Sequence, residues 1–465
     1  MSFELPFKLP TGWQVATVDE LVKQKIIAKP LDGNHGGIHP KASDYIESGV
    51  PFVMASDLAG GRVDLIDCKF ISEEQASGLR KGIAKAGDVL LSHKATIGRT
   101  AIVQDSKHDF IMLTPQVTYY RVINSSALSN IYLKAYFDSR FFQSILGLWA
   151  GAGSTRAYLG ITGQLKLPII LPPIEIQNEI SGQVHALNKK VNLNNEINQT
   201  LEEMAQAIFK SWFVDFDPVK AKMNGKQPEG MDAATASLFP EKLVESELGL
   251  IPEGWSVEEA KSQLDVLRGF SYKGKGLVGS LDKGVPMHNL NSVLEGGGYK
   301  YAGLKFYSEE FKEKFAIKEG DVLVANTEQG HNHLLIGYGA MVPKHLAHGF
   351  FSHHTYRVRP KKNSNVTPEF IERLFGKGRF VRQVQGFTNG TTVNMLPVAG
   401  MEMPQFVVPS KALAQKFSEL VKPMKAMIEE NHKSNIELAK LRDTLLPKLL
   451  SGEIELDVER VNAND

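Results

Sequence analysis

The chain has 465 residues, too many for one ordinary core and suited to two or three domains. Apolar residues make up 42% and charged residues 23%, which excludes a disordered or collagen-like chain, and no apolar run approaches the ~20 residues of a spanning helix. The single cysteine, Cys68, excludes an internal disulfide and a cysteine-based zinc site. Residues 1–10 show no basic segment leading into an apolar one, so the expected location is the cytoplasm, with no membrane partner.

In chain order, Leu9-Pro10-Thr11-Gly12-Trp13 opens a first domain over 1–173. Val89–Ser92 and Val117–Val122 read as strands, and Ala127–Leu146 has helical spacing. The pattern then changes over 174–213. Ile180, Val184, Leu187, Val191, Asn194, Asn198, Leu201, Ala205 and Ile208 follow alternating steps of four and three, the seam of a coiled coil. The helix is expected to end with Phe209, Trp212 and Phe213. Residues 214–250, with Pro218, Gly225, Pro228, Gly230 and Pro240, read as a linker with at most short helices.

The sequence then begins again. Ile251-Pro252-Glu253-Gly254-Trp255 repeats the opening, and Gly49-Val50-Pro51 returns as Gly284-Val285-Pro286. Gly87-Asp88-Val89-Leu90-Leu91 returns as Gly320-Asp321-Val322-Leu323-Val324, Gly153-Ser154-Thr155 as Gly390-Thr391-Thr392, and Pro172 as Pro409. Ordered matches at so long a period predict a duplicated domain over 251–409. Within it Tyr356–Arg359 is strand-like and Pro368–Gln383 helical. A second seam follows over 410–450: Phe417, Val421, Met424, Ile428, Asn431, Asn435, Leu438, Arg442 and Leu445. Pro423 predicts a kink or break near Lys422, Ser451-Gly452 a stop, and 451–465 a tail. The expected fold class is therefore α/β (α+β): two similar domains separated by two long antiparallel coiled-coil helices, a pseudo-twofold internal duplication. Asn in the seam selects register.

Catalytic patterns are missing. Gly269 to Gly276 nearly spells a phosphate-binding loop but has Gly276 where magnesium needs Ser or Thr. It reads as a flexible basic loop whose Lys273 and Lys275 can touch a nucleic-acid phosphate. Six histidines between 331 and 354 show no metal-ligand spacing, and Asp215 and Asp217 suit capping or docking. No cofactor loop, nucleophile elbow or amino-methyltransferase motif is present, so no catalytic residue is assigned and the chain is read as non-catalytic.

Recognition chemistry is what remains. Residues 1–173 carry 18 Lys/Arg against 15 Asp/Glu, and 251–409 carry 19 against 15, a modest basic excess that permits a polyanion partner. His93, Lys94, Thr96 and Arg99 follow the first Gly-Asp-Val strand; Asn326, Thr327, Gln329, His331 and Asn332 follow the second. Ser154, Thr155 and Arg156, and Thr391, Thr392 and Asn394, form a further donor loop in each half. Asn and Gln pair with adenine, Lys and Arg with guanine.

With these features the sequence resembles the specificity subunit of type I restriction–modification enzymes, over nearly its whole length. The resemblance rests on the paired Pro-x-Gly-Trp starts, the Gly-Asp-Val-Leu segments, the Pro-terminated Leu167–Pro173 and Met403–Pro409, and the helix ends Phe209–Pro218 and Leu441–Gly452. It implies two target-recognition domains, each reading one half of an asymmetric bipartite site, with two helices setting the unread spacer. It also implies double-stranded DNA, two modification subunits and two ATP-dependent restriction subunits as partners. S-adenosylmethionine, ATP and magnesium then belong to those partners, which methylate adenine and cleave DNA. A module serving a methyltransferase or another phage-defence complex without a nuclease is the alternative, and a coiled-coil scaffold that binds no DNA a third.

Overall fold

Buried apolar strands and a recurring glycine turn organise both halves of the chain. The computed structural model describes residues 7–151, 157–330, 332–390, 393–454 and 456. It divides into one unit of residues 1–194 with 434–465, and a second of 195–433.

In the first unit Val89–Lys94 lies between Val117–Tyr120 and Thr96–Ile102 in a six-stranded sheet. Its Val89, Leu90 and Leu91 are all fully buried, as expected of a strand covered on both faces. A four-stranded sheet sets Val50–Val53 parallel to Ile111–Leu113. Gln14–Thr17 pairs antiparallel with Pro168–Leu171 and ties entry to exit. The helix expected over Ala127–Leu146 is two, Asn130–Asp138 and Arg140–Ala150. Ser139 divides them: its hydroxyl donates to the Tyr136 carbonyl at 2.6 Å and accepts from the Phe142 amide at 3.2 Å, closing one helix and capping the next.

The second unit repeats this internal plan. Ser256–Glu259 pairs antiparallel with Gln405–Val408, and Val285–His288 runs parallel to Phe350–Phe351. Val322–Ala325 lies between Gly339–Met341 and Thr355–Pro360. The turn before each central strand is the same object. Gly87 and Gly320 have φ of +85° and +86°, a conformation that favours glycine. Asp88 accepts from the Lys85 amide at 2.8 Å and pairs with Arg121 at 2.7 Å; Asp321 accepts from the Lys318 amide at 2.8 Å and pairs with Arg359 at 2.7 Å. The helical stretch expected over Pro368–Gln383 is interrupted at Gly376-Lys377-Gly378, giving Pro368–Leu374 and Arg379–Gln385.

One addition and one correction concern the chain between and beyond the repeats. Residues 214–250 contain short helices and pack on the second unit. Helices Asp217–Met223 and Ala233–Ser237 form there, and Phe216, Val219 and Phe239 are buried with Trp255 and Phe370 in the second unit's main core. The second long helix, Lys411–Ser451, does not break at Pro423. Pro423 is exposed, so the carbonyl it leaves unbonded one turn earlier can reach water.

The first long helix is Ile174–Phe213. Within the first unit, Asn194 Nδ2 donates to Asn435 Oδ1 at 2.8 Å and Arg442 donates to Asn188 Oδ1 at 3.3 Å. Ile180 and Val184 are buried with Leu446, Leu449 and Leu450, against which Leu445 packs. Within the second unit, Asn431 Nδ2 donates to Asn198 Oδ1 at 2.8 Å, and the Phe209 ring lies 5.7 Å from that of Phe417. Numbers rise along one helix as they fall along the other in each unit, so the pairing is antiparallel. Leu187, Val191, Leu201, Ile428 and Leu438 are half-buried between these points, and Met424 packs on the second core. Phe209, Trp212 and Phe213 lie in that core, with Phe213 and Phe370 centroids 5.0 Å apart, rather than on a surface open to a partner.

The second unit also fastens its globule to the helices by charge. Arg373 donates to Glu202 at 2.6 Å and Lys425 to Glu372 at 2.5 Å. Burial alone would raise the Glu372 pKa, yet Lys425 and Arg373 hold it below the ordinary carboxylate value.

Two measurements check this account. Asn431→Leu should destabilise the protein by about 1–3 kcal/mol in urea unfolding, because it strands the buried Asn198 carboxamide; adding Asn198→Leu should restore the loss. His288 is buried, with Nδ1 2.8 Å from the Tyr299 hydroxyl and Nε2 3.1 Å from the Leu346 and His348 carbonyls. Burial lowers its pKa to about 4, so the unfolded chain takes up a proton that the native one refuses. Stability should fall as pH drops from ~6.5 toward 4, by on the order of 3 kcal/mol, and His288→Gln should flatten that decline.

Candidate nucleic-acid interface

Each unit carries a polar loop directly after its central buried strand. In the first, Val89–Lys94 reverses through Ala95, at φ +63°, into Thr96–Ile102. Lys94 and Thr96 are exposed at this tip. His93 is not. It is fully buried, its Nδ1 3.0 Å from the Leu159 carbonyl, and burial lowers its pKa. It ends a run of buried residues from Val89 that includes Ser92, so its expected place on the DNA-facing surface is withdrawn. Arg99 is exposed, but its guanidinium donates to the Ala55 and Ser56 carbonyls at 3.1 and 3.2 Å and so braces the hairpin.

The second loop is more heavily framed. Asn326 is buried and donates to the His353 carbonyl at 3.0 Å; the Thr327 hydroxyl lies 3.1 Å from His354 Nδ1; Asn394 is buried and donates to the Gly330 carbonyl. These three hold the loop together instead of presenting donors outward, a second correction. Thr327–Gln329 pairs antiparallel with Val393–Met395, joining the loop to the second donor segment. Gln329 and Asn332 are left exposed. Ser154, Thr155, Arg156, His331, Thr391 and Thr392 lie outside the described residues.

Glu328 is the residue that sequence reasoning missed. It is buried, and its carboxylate accepts from three successive amides, Leu334 at 2.8 Å, Leu335 at 3.0 Å and Ile336 at 2.9 Å. Charge-assisted bonds of this kind are about twice as strong as neutral ones, so Glu328 shapes the loop that displays Gln329 and Asn332. A lone acid among amides gave no pattern to mark it.

Lys273 and Lys275 flank a 3₁₀ turn at Gly274–Gly276, which is not a helix N-terminus able to cradle a phosphate. Both are exposed, and Lys275 pairs with Glu309 at 3.1 Å. Among the described residues no group of three His, Cys, Asp or Glu is placed to hold a metal ion, and no helix is long and apolar enough to cross a membrane. Two exposed donor tips on duplicated scaffolds can form directional hydrogen bonds to a polar ligand.

Residues 10–203 match the family model described as the type I restriction modification DNA specificity domain. The type I restriction enzyme MjaIX specificity subunit of Methanocaldococcus jannaschii is 24% identical, across 98% of this chain and all of that protein. The chain is similar to type I restriction enzyme specificity subunits. The HindI specificity subunit of Haemophilus influenzae, also 24% identical, covers 87% of this chain and 94% of its own length. A solved S subunit of the type I restriction-modification system of M. genitalium is 11% identical over 97% of this chain and 98% of that one, with a TM-score of 0.49.

The exposed tip residues Gln329 and Asn332 and the buried Glu328 that shapes their loop are separable. Glu328→Ala should leave the amides of Leu334, Leu335 and Ile336 without their acceptor. Hydrogen–deuterium exchange there should accelerate at least ~10-fold, given ~1.5–3 kcal/mol for a bond to a charged group, while the Val322–Ala325 strand stays protected.

Proposed function

We propose that this chain is the DNA-recognition subunit of a type I restriction–modification complex. Each unit reads one half of a bipartite site through its loop, and the paired helices set the interval left unread. The chain itself is non-catalytic in this reading. Two modification subunits using S-adenosylmethionine and two ATP- and magnesium-dependent restriction subunits supply methylation and cleavage, in the cytoplasm.

The observation that carries the reading is the pairing of one scaffold with two different tips. The glycine–aspartate–arginine turn is the same in both units, yet one displays Lys94 and Thr96 and the other Gln329 and Asn332. Carboxamides favour adenine N6/N7, and the second tip displays Gln329 and Asn332 where the first displays Thr96, so the two half-sites differ. The likeness to specificity subunits over nearly the full chain supports the same reading.

Exchange of residues 251–409 for those of a relative tests it. Methylated sites mapped in the genome of the host should change in one half only, with the other half and the spacer length kept. A change in both halves together would contradict separate readers, and methyl transfer by the purified chain alone would contradict a non-catalytic one.

A further inference from the structure

The first unit contains a cleft of about 410 Å³ lined by His35, Gly36, His39, Lys94, Thr114 and Gln116, together with Tyr45, Met54 and Pro115. One wall is the exposed tip of the recognition hairpin. The other is the loop after Leu31–Asp32, and that loop is built rather than loose. Gly33 lies so close to the neighbouring strand that a Cβ there would meet the Leu113 carbonyl oxygen at 2.0 Å. Asn34 donates to the Lys81 carbonyl at 2.6 Å and accepts from the Arg80 amide at 3.1 Å.

Buried Asp32 holds the loop by charge, with Lys81 at 2.5 Å and His35 Nε2 at 2.8 Å. Burial works against ionising Asp32, but Lys81 and His35 keep its pKa below the ordinary value. Its negative charge is thereby matched on the inner side. No carboxylate is among the residues lining the cleft, whereas Lys94 and two imidazoles are.

The cleft also contains polar atoms with nothing to bond. Thr114 is 5% exposed and its Oγ1 has no partner; His39 Nδ1 is buried and equally unpartnered. Buried polar groups left this way are uncommon and costly in a folded protein. Both residues line the same cleft as Lys94.

We propose that this cleft receives one phosphate of the bound DNA, with Lys94 supplying charge and the imidazoles of His35 and His39 and the Thr114 hydroxyl supplying hydrogen bonds. The assignment rests on the DNA-recognition reading above. It places a sequence-independent anchor beside the hairpin tip, so that the phosphate contact sets the register in which Thr96 and its neighbours meet base edges.

Binding of the full chain to two duplexes over a range of salt tests this, one of random sequence and one carrying the mapped methylation site. Thr114→Val removes only an unpartnered hydroxyl, so thermal unfolding of the free chain should not be lowered. Its affinity should nevertheless fall about tenfold on both duplexes, as for loss of a bond to a charged group. Lys94→Ala, at an exposed position that does not threaten folding, should weaken both complexes and reduce the slope of log K against log salt by about one. Wild-type affinity and slope in both variants would overturn the cleft assignment while leaving the DNA reading intact. Loss confined to the methylation-site duplex would mean that the cleft reads a base and would also overturn it. If the wild-type chain showed no salt-dependent DNA binding, the functional reading and the cleft would fall together.

Discussion

Two carboxamide pairs in a mostly apolar helical seam set the alignment on which the rest of the molecule depends. Asn194 with Asn435 lies in the first unit and Asn431 with Asn198 in the second, each bond 2.8 Å long. Apolar residues alone tolerate a slip of one heptad, because any Leu fits against any other. A buried amide does not, since a slip leaves donor and acceptor unpaired in low dielectric. The bond patterns also map onto each other under the 237-residue shift of the duplication: donors Asn194 and Asn431 correspond, as do acceptors Asn435 and Asn198. One solution to the register problem was copied with the domain.

The features most legible in the sequence are those with a period or a copy. The four-three seam located both helices, its combination with the duplication pointed to their antiparallel sense, and the repeated Gly-Asp-Val-Leu segments located the two central strands. The single-residue events were hidden. Ser139 ends one helix and begins another through two hydrogen bonds of its own hydroxyl, within a stretch whose apolar spacing is continuous. The Pro- and Gly-rich 214–250 reads as a linker with at most short helices, and a few aromatic residues, Phe216 and Phe239 among them, suffice to seat it on the second core.

The candidate site was legible only as a region. Composition marks the loops after each central strand as donor-rich, but adjacent residues of an extended segment face opposite ways. His93 beside Lys94, and Asn326 and Thr327 before Gln329, show polar residues divided between framing the loop and facing solvent. Which member of a polar run turns inward depends on what waits there: a carbonyl of Leu159 for His93, one of His353 for Asn326. Those acceptors come from chain segments distant in sequence. Glu328, meeting three amides beyond a turn, is the same lesson for a carboxylate.

The first unit is assembled from both ends of the chain, and this bears on how the protein is made. Leu446, Leu449 and Leu450 belong to the core that contains Ile180 and Val184, whereas residues 195–433 form the other unit by themselves. On the ribosome the later-encoded unit therefore has all its parts first. The earlier one must hold its apolar helix face unpaired until residue 450 has emerged, an interval of roughly 10–50 s at ~5–20 residues per second. Through that interval an open hydrophobic strip, Ile180 and Val184 included, invites chaperone binding or capture by another nascent copy. The order of synthesis thus runs opposite to the order of completion.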